Sequence, residues 1–526
     1  MMKQSEAESL EKFEVYLNQG KQYLEKRQLD KAAGQFSMAL RLKPDSIAAL
    51  KQMAETYILE EKIEKAILLW TRLIELKPNA GNLYFRLAKL YLQVDNIDLA
   101  FAALQKVIDC QHEIPPQFRK RMKDLARQEA DRLMKQNRYP EAESYYRWAL
   151  EMKPENYEAH LGLGDALRHM NRIEEAMEYY LASVRIKPKF VGAFTRFAVL
   201  IRQGQLSSAN LRRITELRLN EVYESQNPEK IYSVFSQALS QHGNVSESIA
   251  YNKKATYQLN LSSKPEFVKN YWDESAPRKP NFIVIGFMKC GTTSLFDYIS
   301  QHPRVLRAFE KEIEFFNRDD LYKLGVEWYR SNFPPIPSQS GYLSGEATPN
   351  YITCGAKAAQ KVQSLFPDLK FIVALRNPVQ RAISHYYFSL KRGAKHQSFE
   401  EKIDEDINKL NEKLQQVNGF NNINRLWGIV LSGLYVYFLE QWMNIFPKEQ
   451  FLILKTEELA ENTSDTMSRV FNFLGLPAYE QIQYPQKNKG SYSSNINEEI
   501  LMRLQEFYRP HNQRLEELMG CKFDWE

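Results

Sequence analysis

Cysteine is scarce in this sequence, and its few cysteines are not arranged in pairs. Cys110, Cys290, Cys354 and Cys521 form no Cys-x-x-Cys motif, which excludes a disulfide framework and a zinc ribbon as organising features. With 526 residues, 44% of them hydrophobic and 26% charged, it is long enough for two or three globular domains.

Long apolar runs are also missing. No stretch approaches the roughly 20 residues that cross a bilayer, and the opening segment MMKQSEAESLEKFEVYL lacks the apolar centre of a signal peptide. The formal net charge of +6 is small for this length and does not favour nucleic acid as a partner. We expect a cytoplasmic protein with no membrane span and no nucleic-acid partner.

What the first half does contain is a repeat. Prolines recur at a spacing of 34 residues in two separate pairs, each proline closing a phrase such as LRLKP or IELKP; they are Pro44 and Pro78, then Pro154 and Pro188. The interval between the pairs is about eight residues longer than two periods, so one repeat carries an insertion near Pro115 and Pro116.

Small residues recur within each period at fixed offsets. The first row is Gly20, Ala54, Ala88, Ala130 and Gly164, and a second row follows twelve residues later at Ala32, Ala66, Ala100, Ala142 and Ala176. A large aromatic residue stands four positions after several members of the second row, at Phe36, Trp70, Tyr146 and Tyr180. Small residues at matching points let two helices pack closely, so the pattern predicts a stack of helical hairpins.

This period and these offsets resemble tetratricopeptide repeats. Weaker copies extend the predicted α-helical solenoid over residues 1–262, and a Ser-, Pro- and charge-rich linker is predicted at 263–279. Two roles stay open for the array. It is either a structural spacer or oligomerisation surface, or a groove that binds a protein or peptide partner.

The second half opens with a strand, a tight loop and a helix. NFIVIG predicts a buried parallel strand, and it runs directly into FMKCGTTS and the apolar helix LFDYI. Backbone N–H groups of such a loop and of the helix N-terminus converge on one point, which favours an anion. This segment therefore predicts a phosphate-binding loop.

The loop differs from that of a nucleoside triphosphatase. Gly286 and Gly291 have the spacing of G-x-x-x-x-G-K-[ST], but Thr292 occupies the lysine position and the basic residue is Lys289. The later strand KFIVAL ends in Arg376 rather than in a metal-binding acid. The residues indicate a short phosphate ester bound without a metal. A metal-dependent P-loop kinase-like phosphotransferase is the alternative.

The segment Lys289–Thr293 resembles the 5'-phosphosulfate loop of the sulfotransferase superfamily. LRNPVQRAISHYY, with Arg376 and Ser384 eight residues apart, resembles that superfamily's 3'-phosphate segment. KEIEFFN and GEATPNY, which lie between these two segments, resemble motifs of the heparan sulfate sulfotransferases in their family order, and the resemblance extends over residues 280–526. It implies a P-loop-like α/β domain with a central parallel sheet, so that the whole chain is of the α + α/β class.

The resemblance also implies roles for individual residues. The sulfuryl donor would be 3'-phosphoadenosine-5'-phosphosulfate (PAPS), with no metal required, Glu312 would be the general base, and Lys289 would stabilise the leaving phosphate. The nucleotide contacts it implies are Lys289, Gly291, Thr292, Thr293 and Ser294 for the 5'-phosphate, Arg376 and Ser384 for the 3'-phosphate, and Lys489 and Gly490 in a late closing loop.

Each of these residues has a plainer interpretation. Glu312 beside Lys311 is in isolation an ordinary surface acid, and His302 and His385 are rival bases. Cys290 is expected to fill space rather than to act as a nucleophile, and Phe315 and Phe316 to belong to the core. For the whole chain, a scaffold with an inactive transferase domain is the remaining alternative.

Departures from the resembled family bear on the acceptor, which the sequence does not identify. Ala347 stands where the glycan-modifying relatives have lysine, and Glu314 stands where several have histidine. Less positive charge suits a polyanion poorly. We therefore expect a neutral sugar, a lipid-linked or small-molecule hydroxyl, or a peptide.

Overall fold

The computed structural model describes residues 2–188, 190–217, 228–391, 394, 397–416, 428–480 and 496–525. Contacts divide the chain into two compact units, 1–162 and 163–526. None of the helices in the described ranges has the length and apolar content needed to cross a membrane.

The first fourteen helices are α1 (Met2–Glu25), α2 (Leu29–Leu42), α3 (Ile47–Leu59), α4 (Ile63–Leu76), α5 (Gly81–Gln93), α6 (Ile97–Asp109), α7 (Pro116–Lys135), α8 (Tyr139–Met152), α9 (Tyr157–His169), α10 (Ile173–Ile186), α11 (Val191–Arg202), α12 (Ser208–Thr215), α13 (Pro228–Gln241) and α14 (Val245–Ser263).

The small residues of the repeat lie where helices meet, as predicted. A Cβ added at Gly20 on α1 would come within 2.5 Å of the Phe36 ring on α2, and one at Gly164 on α9 within 2.5 Å of the Tyr180 ring on α10. Both rings are fully buried. Helix pairing through a small residue opposite a large one is therefore confirmed.

The predicted insertion takes the form of a longer helix. Helix α7 has 20 residues, whereas the corresponding helices α3 and α5 have 13 each. Pro116 is the first residue of α7, a position where proline's missing N–H costs no intrahelical hydrogen bond. The additional residues extend the repeat unit without interrupting the helical array.

The rest of the chain forms an α/β fold. Its strands are β1 (Phe282–Gly286), β2 (Val305–Arg307), β3 (Leu343–Glu346), β4 (Lys370–Leu375) and β5 (Phe451–Lys455). Its helices are α15 (Pro265–Tyr271), α16 (Thr292–Gln301), α17 (Asp319–Tyr322), α18 (Val326–Arg330), α19 (Gly355–Leu365), α20 (Pro378–Lys391), α21 (Phe399–Gln416), α22 (Tyr435–Met443), α23 (Thr456–Glu461), α24 (Thr463–Leu474) and α25 (Glu498–Met519).

The five strands form one parallel sheet in the order β2-β3-β1-β4-β5. Every residue of β1 is buried, and all but the first of β4 are buried, because helices cover both faces of a sheet of this kind. The central parallel sheet and its predicted strands are therefore confirmed. Since the strands are parallel, the loops after β1 and β4 lie at the same edge of the sheet.

Helix α14 is packed onto the α/β fold through buried polar side chains. The Trp328 indole N–H donates to Ser248 Oγ at 2.9 Å, and the Asn252 side-chain amide donates to Ser331 Oγ at 2.9 Å. Helix α14 therefore belongs to the same compact unit as the sheet. The division between units does not coincide with the predicted boundary at residue 262, and the predicted linker contains helix α15.

Alanine substitutions at two glycines of the first hairpin compare a position packed against a buried ring with a position that has open space beside it. Gly20→Ala is expected to destabilise the hairpin by about 1–3 kcal/mol, because the new methyl group overlaps the buried Phe36 ring. The matched control is Gly34→Ala on α2, where a Cβ meets nothing within 4 Å; it should stabilise by up to about 1 kcal/mol through helix propensity alone. Amide hydrogen exchange of α1 and α2 measures both effects. Stabilisation by both substitutions would contradict the packing.

Candidate active site

The predicted phosphate loop connects β1 to α16. Lys289 and Gly291 both adopt positive φ, 72° and 76°, which turns the chain sharply and places Gly291 at the N-cap of α16. Thr292, Thr293 and Ser294 form the first turn of this ten-residue helix, where backbone N–H groups lack intrahelical partners. The structure thus brings together all the residues predicted for the 5'-phosphate, in the conformation of an anion site.

Cys290 points away from this site into the core. Its thiol is fully buried, its Sγ lies 3.6 Å from Tyr435 Oη, and burial raises the pKa of the thiol to about 11. A buried, protonated thiol is a poor nucleophile. The residue fills space, as expected from the sequence.

Arg376 follows β4 and lies at the same sheet edge as the loop. The first loop residue is tied to β4 directly, because the Phe287 N–H donates to the Ala374 carbonyl at 3.0 Å. The Arg376 side chain is half-buried, and within the described ranges it forms no ion pair. A guanidinium in this situation is available for an anionic ligand.

Ser384 lies on α20, which runs beside the loop. The ring of Phe388, one turn further along α20, has its centroid 4.2 Å from Lys289 Nζ. Residues four apart share one helix face, so the face of α20 that carries the buried Ser384 is directed toward the phosphate loop. The predicted 3'-phosphate residues and the predicted 5'-phosphate loop therefore border one region.

Two hydroxyl groups that sequence reasoning did not identify connect these segments. Thr456 Oγ1 lies 2.8 Å from the Cys290 carbonyl and 2.9 Å from the Leu375 carbonyl. Tyr435 Oη donates to the Arg376 carbonyl at 2.8 Å. Thr456 directly follows a strand and Tyr435 begins a helix. For both residues, a position at the boundary of a strand or helix is the only indication of this role in the sequence.

The segment that contains Glu312 lies against the start of α16. Lys311 Nζ donates to Thr293 Oγ1 at 2.8 Å and to Glu312 Oε1 at 3.0 Å. The Glu312 side chain is 48% exposed, so it is accessible to an incoming molecule. One ammonium group thus links the predicted base to the phosphate loop. Lys311 is an addition to the predicted site, and its place next to Glu312 is the only indication of this role in the sequence.

The position of this segment is set by a buried carboxylate. Glu346 has no exposed surface, and it accepts hydrogen bonds from Thr348 Oγ1 at 2.6 Å, Tyr329 Oη at 2.7 Å and the Ile313 N–H at 3.3 Å. Tyr351 Oη also donates to Glu346, at 3.1 Å, and accepts from the Phe315 N–H at 2.9 Å. The backbone around Glu312 is therefore hydrogen-bonded to the end of β3 and to the residues after it.

The structure places Phe315, Phe316 and His302 in buried packing positions. Phe315 and Phe316 are buried core residues, as expected. His302 ends α16 and is buried, with Nε2 3.1 Å from the Pro477 carbonyl and Nδ1 accepting the Arg304 N–H at 3.1 Å. Burial also lowers the pKa of His302. With both ring nitrogens engaged, His302 serves the packing of α16.

Four further residues of the sequence prediction are His385, Ala347, Lys489 and Gly490. His385 Nδ1 lies 3.3 Å from a guanidinium nitrogen of Arg381. Ala347 is fully buried and its N–H donates to the Lys311 carbonyl at 2.8 Å, so this position does not open onto a cleft. Lys489 and Gly490 lie outside the described residues. In the part of the chain that the structure describes, no cluster of acidic, histidine or cysteine side chains is arranged to hold a metal ion.

Comparison with known proteins identifies the family. Residues 279–515 match the sulfotransferase domain, and residues 81–110 and 127–189 match tetratricopeptide repeats. Human heparan sulfate glucosamine 3-O-sulfotransferase 6 is 32% identical over 271 residues, an alignment that covers 47% of this chain and 74% of that protein. The chain belongs to the sulfotransferase family.

Further similar proteins include human heparan sulfate glucosamine 3-O-sulfotransferase 3A1, which is 30% identical over 277 residues, or 48% of this chain and 64% of that protein. The crystal structure of a sulfotransferase from Alicyclobacillus acidocaldarius shares 26% identity and covers 47% of this chain and 98% of that one, with a TM-score of 0.39. Membership in the family makes the protein a sulfotransferase enzyme. This family assignment replaces the alternative interpretation as a kinase-like phosphotransferase.

The ionisation of Glu346 in this sulfotransferase is testable through stability. Burial raises its pKa from 4.5 to about 7, against hydrogen bonds from Thr348, Tyr329 and Tyr351 that lower it. Because the folded-state pKa lies above the unfolded one, the unfolded chain releases its proton first as the pH rises. The contribution of this group to folding stability is therefore greatest at low pH and is lost between about pH 4.5 and 7.

Glu346→Gln removes this titration. We expect the melting temperature of the wild-type enzyme to fall, relative to that of the variant, as the pH is raised from 4.5 to 7, with no further relative change above that window. Calorimetric scans of both proteins at several pH values measure it. A relative melting temperature that rises with pH would show that Glu346 is ionised in the folded enzyme throughout.

Proposed function

We propose that this enzyme transfers the sulfuryl group of PAPS to a hydroxyl or amine acceptor. The observation that carries the proposal is the position of the Lys311 ammonium, which joins the Glu312 carboxylate to the Thr293 hydroxyl. An accessible carboxylate is thereby held beside an anion-binding loop. Sulfuryl transfer needs this combination of a base and an anionic donor site.

The donor site consists of two anion-binding segments at one edge of the sheet. The loop from Lys289 to Ser294 would bind the 5'-phosphosulfate, and Arg376 with Ser384 would bind the 3'-phosphate. Each charge-assisted contact is worth roughly 1.5–3 kcal/mol. A nucleotide phosphorylated at both ends fits this pair of segments, whereas a singly phosphorylated one leaves Arg376 unused. Lys489 and Gly490 are proposed to contact the same nucleotide.

The reaction is an in-line displacement at sulfur. The acceptor oxygen or nitrogen forms a bond to sulfur while the bond from sulfur to the bridging phosphate oxygen breaks. The electron pair of the broken bond leaves with 3'-phosphoadenosine-5'-phosphate. The Glu312 carboxylate takes the acceptor proton, a role that typically contributes 10²–10⁴ in rate. No metal is required.

Charge accumulates on the departing phosphate, and Lys289 is proposed to stabilise it. Its positive φ and its contact with the Phe388 ring hold the ammonium between the loop and α20. A cation fixed where negative charge develops lowers the barrier more than it strengthens ground-state binding. Lys311 adds a second positive charge next to the base and the first turn of α16.

The acceptor is proposed to be a carbohydrate, small molecule or peptide of low negative charge. The similar human proteins are named for heparan sulfate glucosamine. Here Glu314, which is 34% exposed and forms an ion pair with Arg318 at 3.7 Å, stands where several of the resembled proteins have histidine, so this side of the site carries less positive charge for a polyanion. The buried Ala347 gives no support to this part of the proposal.

The repeats are proposed to bind a protein or peptide partner. Tetratricopeptide repeats match two stretches of the array, and the first unit has a depression of about 500 Å³. Its lining is of mixed charge and includes Asp95, Lys120, Arg121 and Asp124.

Nucleotide binding tests the donor. At about 100 times Kd, 3'-phosphoadenosine-5'-phosphate should stabilise the wild-type enzyme by roughly 2.7 kcal/mol, which a melting scan detects. ADP and Mg-ATP should give smaller shifts, and Arg376→Ala should lose the difference between the nucleotides. The control is Arg514→Ala, which removes an exposed arginine paired with Glu440. Equal shifts with Mg-ATP, or an unchanged Arg376→Ala variant, would refute the assignment of the donor.

Glu312→Gln tests the base. Transfer from radiolabelled PAPS is measured to a panel containing heparan sulfate oligosaccharides, their desulfated forms, N-acetylglucosamine oligosaccharides, p-nitrophenol and a tyrosine-containing peptide. With the acceptor that reacts fastest, kcat of the variant should fall by about 10²–10⁴, while binding of 3'-phosphoadenosine-5'-phosphate stays unchanged. Glu327→Gln on α18, with a side chain 71% exposed, is the control.

A loss of less than threefold in Glu312→Gln would exclude this carboxylate as the base. The same panel tests the acceptor class. Uncharged acceptors should react faster than sulfated heparan oligosaccharides, and the reverse order would refute an acceptor of low negative charge.

A further inference from the structure

The residue directly before the Lys311–Glu312 pair is held by the helical repeats. Glu310 Oε1 accepts hydrogen bonds from Ser233 Oγ at 2.5 Å and from the Gln237 side-chain amide at 3.0 Å, both on α13. Its other oxygen lies 3.4 Å from a guanidinium nitrogen of Arg202, the last residue of α11. All of these residues belong to the same compact unit.

These contacts are formed in a largely enclosed place. The Glu310 side chain is 24% exposed, and Ser233 is buried. Hydrogen bonds to a charged acceptor are stronger than neutral ones, and removing the donors from an enclosed carboxylate leaves it poorly solvated. The Ser233 and Gln237 donors therefore restrain Glu310 more than an exposed ion pair would.

The chain segment that carries Lys311 and Glu312 is consequently held on both sides of this pair, in addition to the hydrogen bond from the Ala347 N–H to the Lys311 carbonyl. On one side, the Glu346 network holds the Ile313 and Phe315 amides. On the other side, α13 and α11 hold Glu310. The first anchor belongs to the α/β fold, and the second belongs to the repeats.

We propose that Ser233, Gln237 and Arg202 are positioning residues for sulfuryl transfer. Through Glu310 they hold the following two residues so that Lys311 reaches Thr293 and Glu312 is presented to the acceptor. The inference rests on the proposed function of Glu312. It makes helices α11 and α13 of the repeat array part of the catalytic unit rather than a carrier attached to it.

Kinetics of the full chain separate positioning from donor binding. In Ser233→Ala/Gln237→Ala, kcat should fall about tenfold, because small displacements of a catalytic group cost large factors in rate. KM for PAPS should change less than kcat, because these side chains do not contact the phosphate loop directly and reach it only through the hydrogen bond from Lys311 to Thr293. The matched control is Arg213→Ala, which breaks an ion pair between repeat helices, to Glu178 at 2.5 Å, and leaves Glu310 untouched.

Glu310→Gln changes the same contact from its other side and can be measured alone if Ser233→Ala/Gln237→Ala folds poorly. Combined with that double variant, it completes a mutant cycle. When residues act through one another, the combined variant loses no more than the larger single effect. We therefore expect Glu310→Gln to lower kcat, and Glu310→Gln added to Ser233→Ala/Gln237→Ala to cause no further loss. Multiplied losses would show that the repeat side chains do not act through Glu310.

Hydrogen exchange provides a readout that needs no activity. In Ser233→Ala/Gln237→Ala, amides of the peptide spanning residues 309–316 should exchange faster, while those of α16 stay as in the wild-type enzyme. If no acceptor in the panel reacts but exchange changes in this way, the proposed function is in doubt and the positioning contact stands. Unchanged exchange together with unchanged kcat, or equal losses in Arg213→Ala, would overturn the proposal.

Discussion

A buried carboxylate cannot remain unpaired, and in this enzyme that constraint determines the geometry of the active site. Glu346 ends β3 without any exposed surface, and it is surrounded by three side-chain hydroxyls and one backbone amide. Because these donors come from different segments, satisfying one charge brings those segments together. The path of the chain around Glu312 follows from it, and so does the contact between Lys311 and Thr293. Burial nevertheless raises the pKa of Glu346 to about 7, so the ionisation of its carboxyl group changes close to neutral pH.

The part of the site proposed to bind the nucleotide depends on the parallel sheet in a similar way. Since β1 and β4 are neighbours with their carboxyl ends at one edge, the phosphate loop and Arg376 lie side by side. Strand pairing alone leaves the two loops free to separate. The hydroxyls of Thr456 and Tyr435 prevent this, because they bind backbone carbonyls of the loop, of β4 and of Arg376 itself. Backbone carbonyls are the same whatever the side chains, so these contacts tolerate changes in the residues that touch the ligand.

Features encoded by local pattern could be predicted from the sequence, and features created by distant contacts could not. The helical hairpins follow from a fixed spacing of small residues, and the phosphate loop from a short motif between a strand and a helix. Lys311 reaches a threonine 18 positions away, and Thr456 a carbonyl 166 positions away, so neither role has a local signature. Helix α14 was predicted as the end of a separate domain for the same reason. Its polar residues pair with partners about 80 positions further on, and they resemble surface residues until the fold is known.

The fusion of repeats to a transferase therefore has a physical basis beyond tethering. Glu310 is a largely enclosed charge one residue from Lys311. Among the described residues, the side chains that donate to it come from α11 and α13 alone. Without these helices Glu310 would be hydrated by bulk water, and the segment beside Lys311 and Glu312 would lose the side-chain contacts that restrain it. Under the proposed role of Glu310, a change in the packing of α13 would reach Glu312 through only two intervening residues, and these helices would contribute to catalysis as well as to packing.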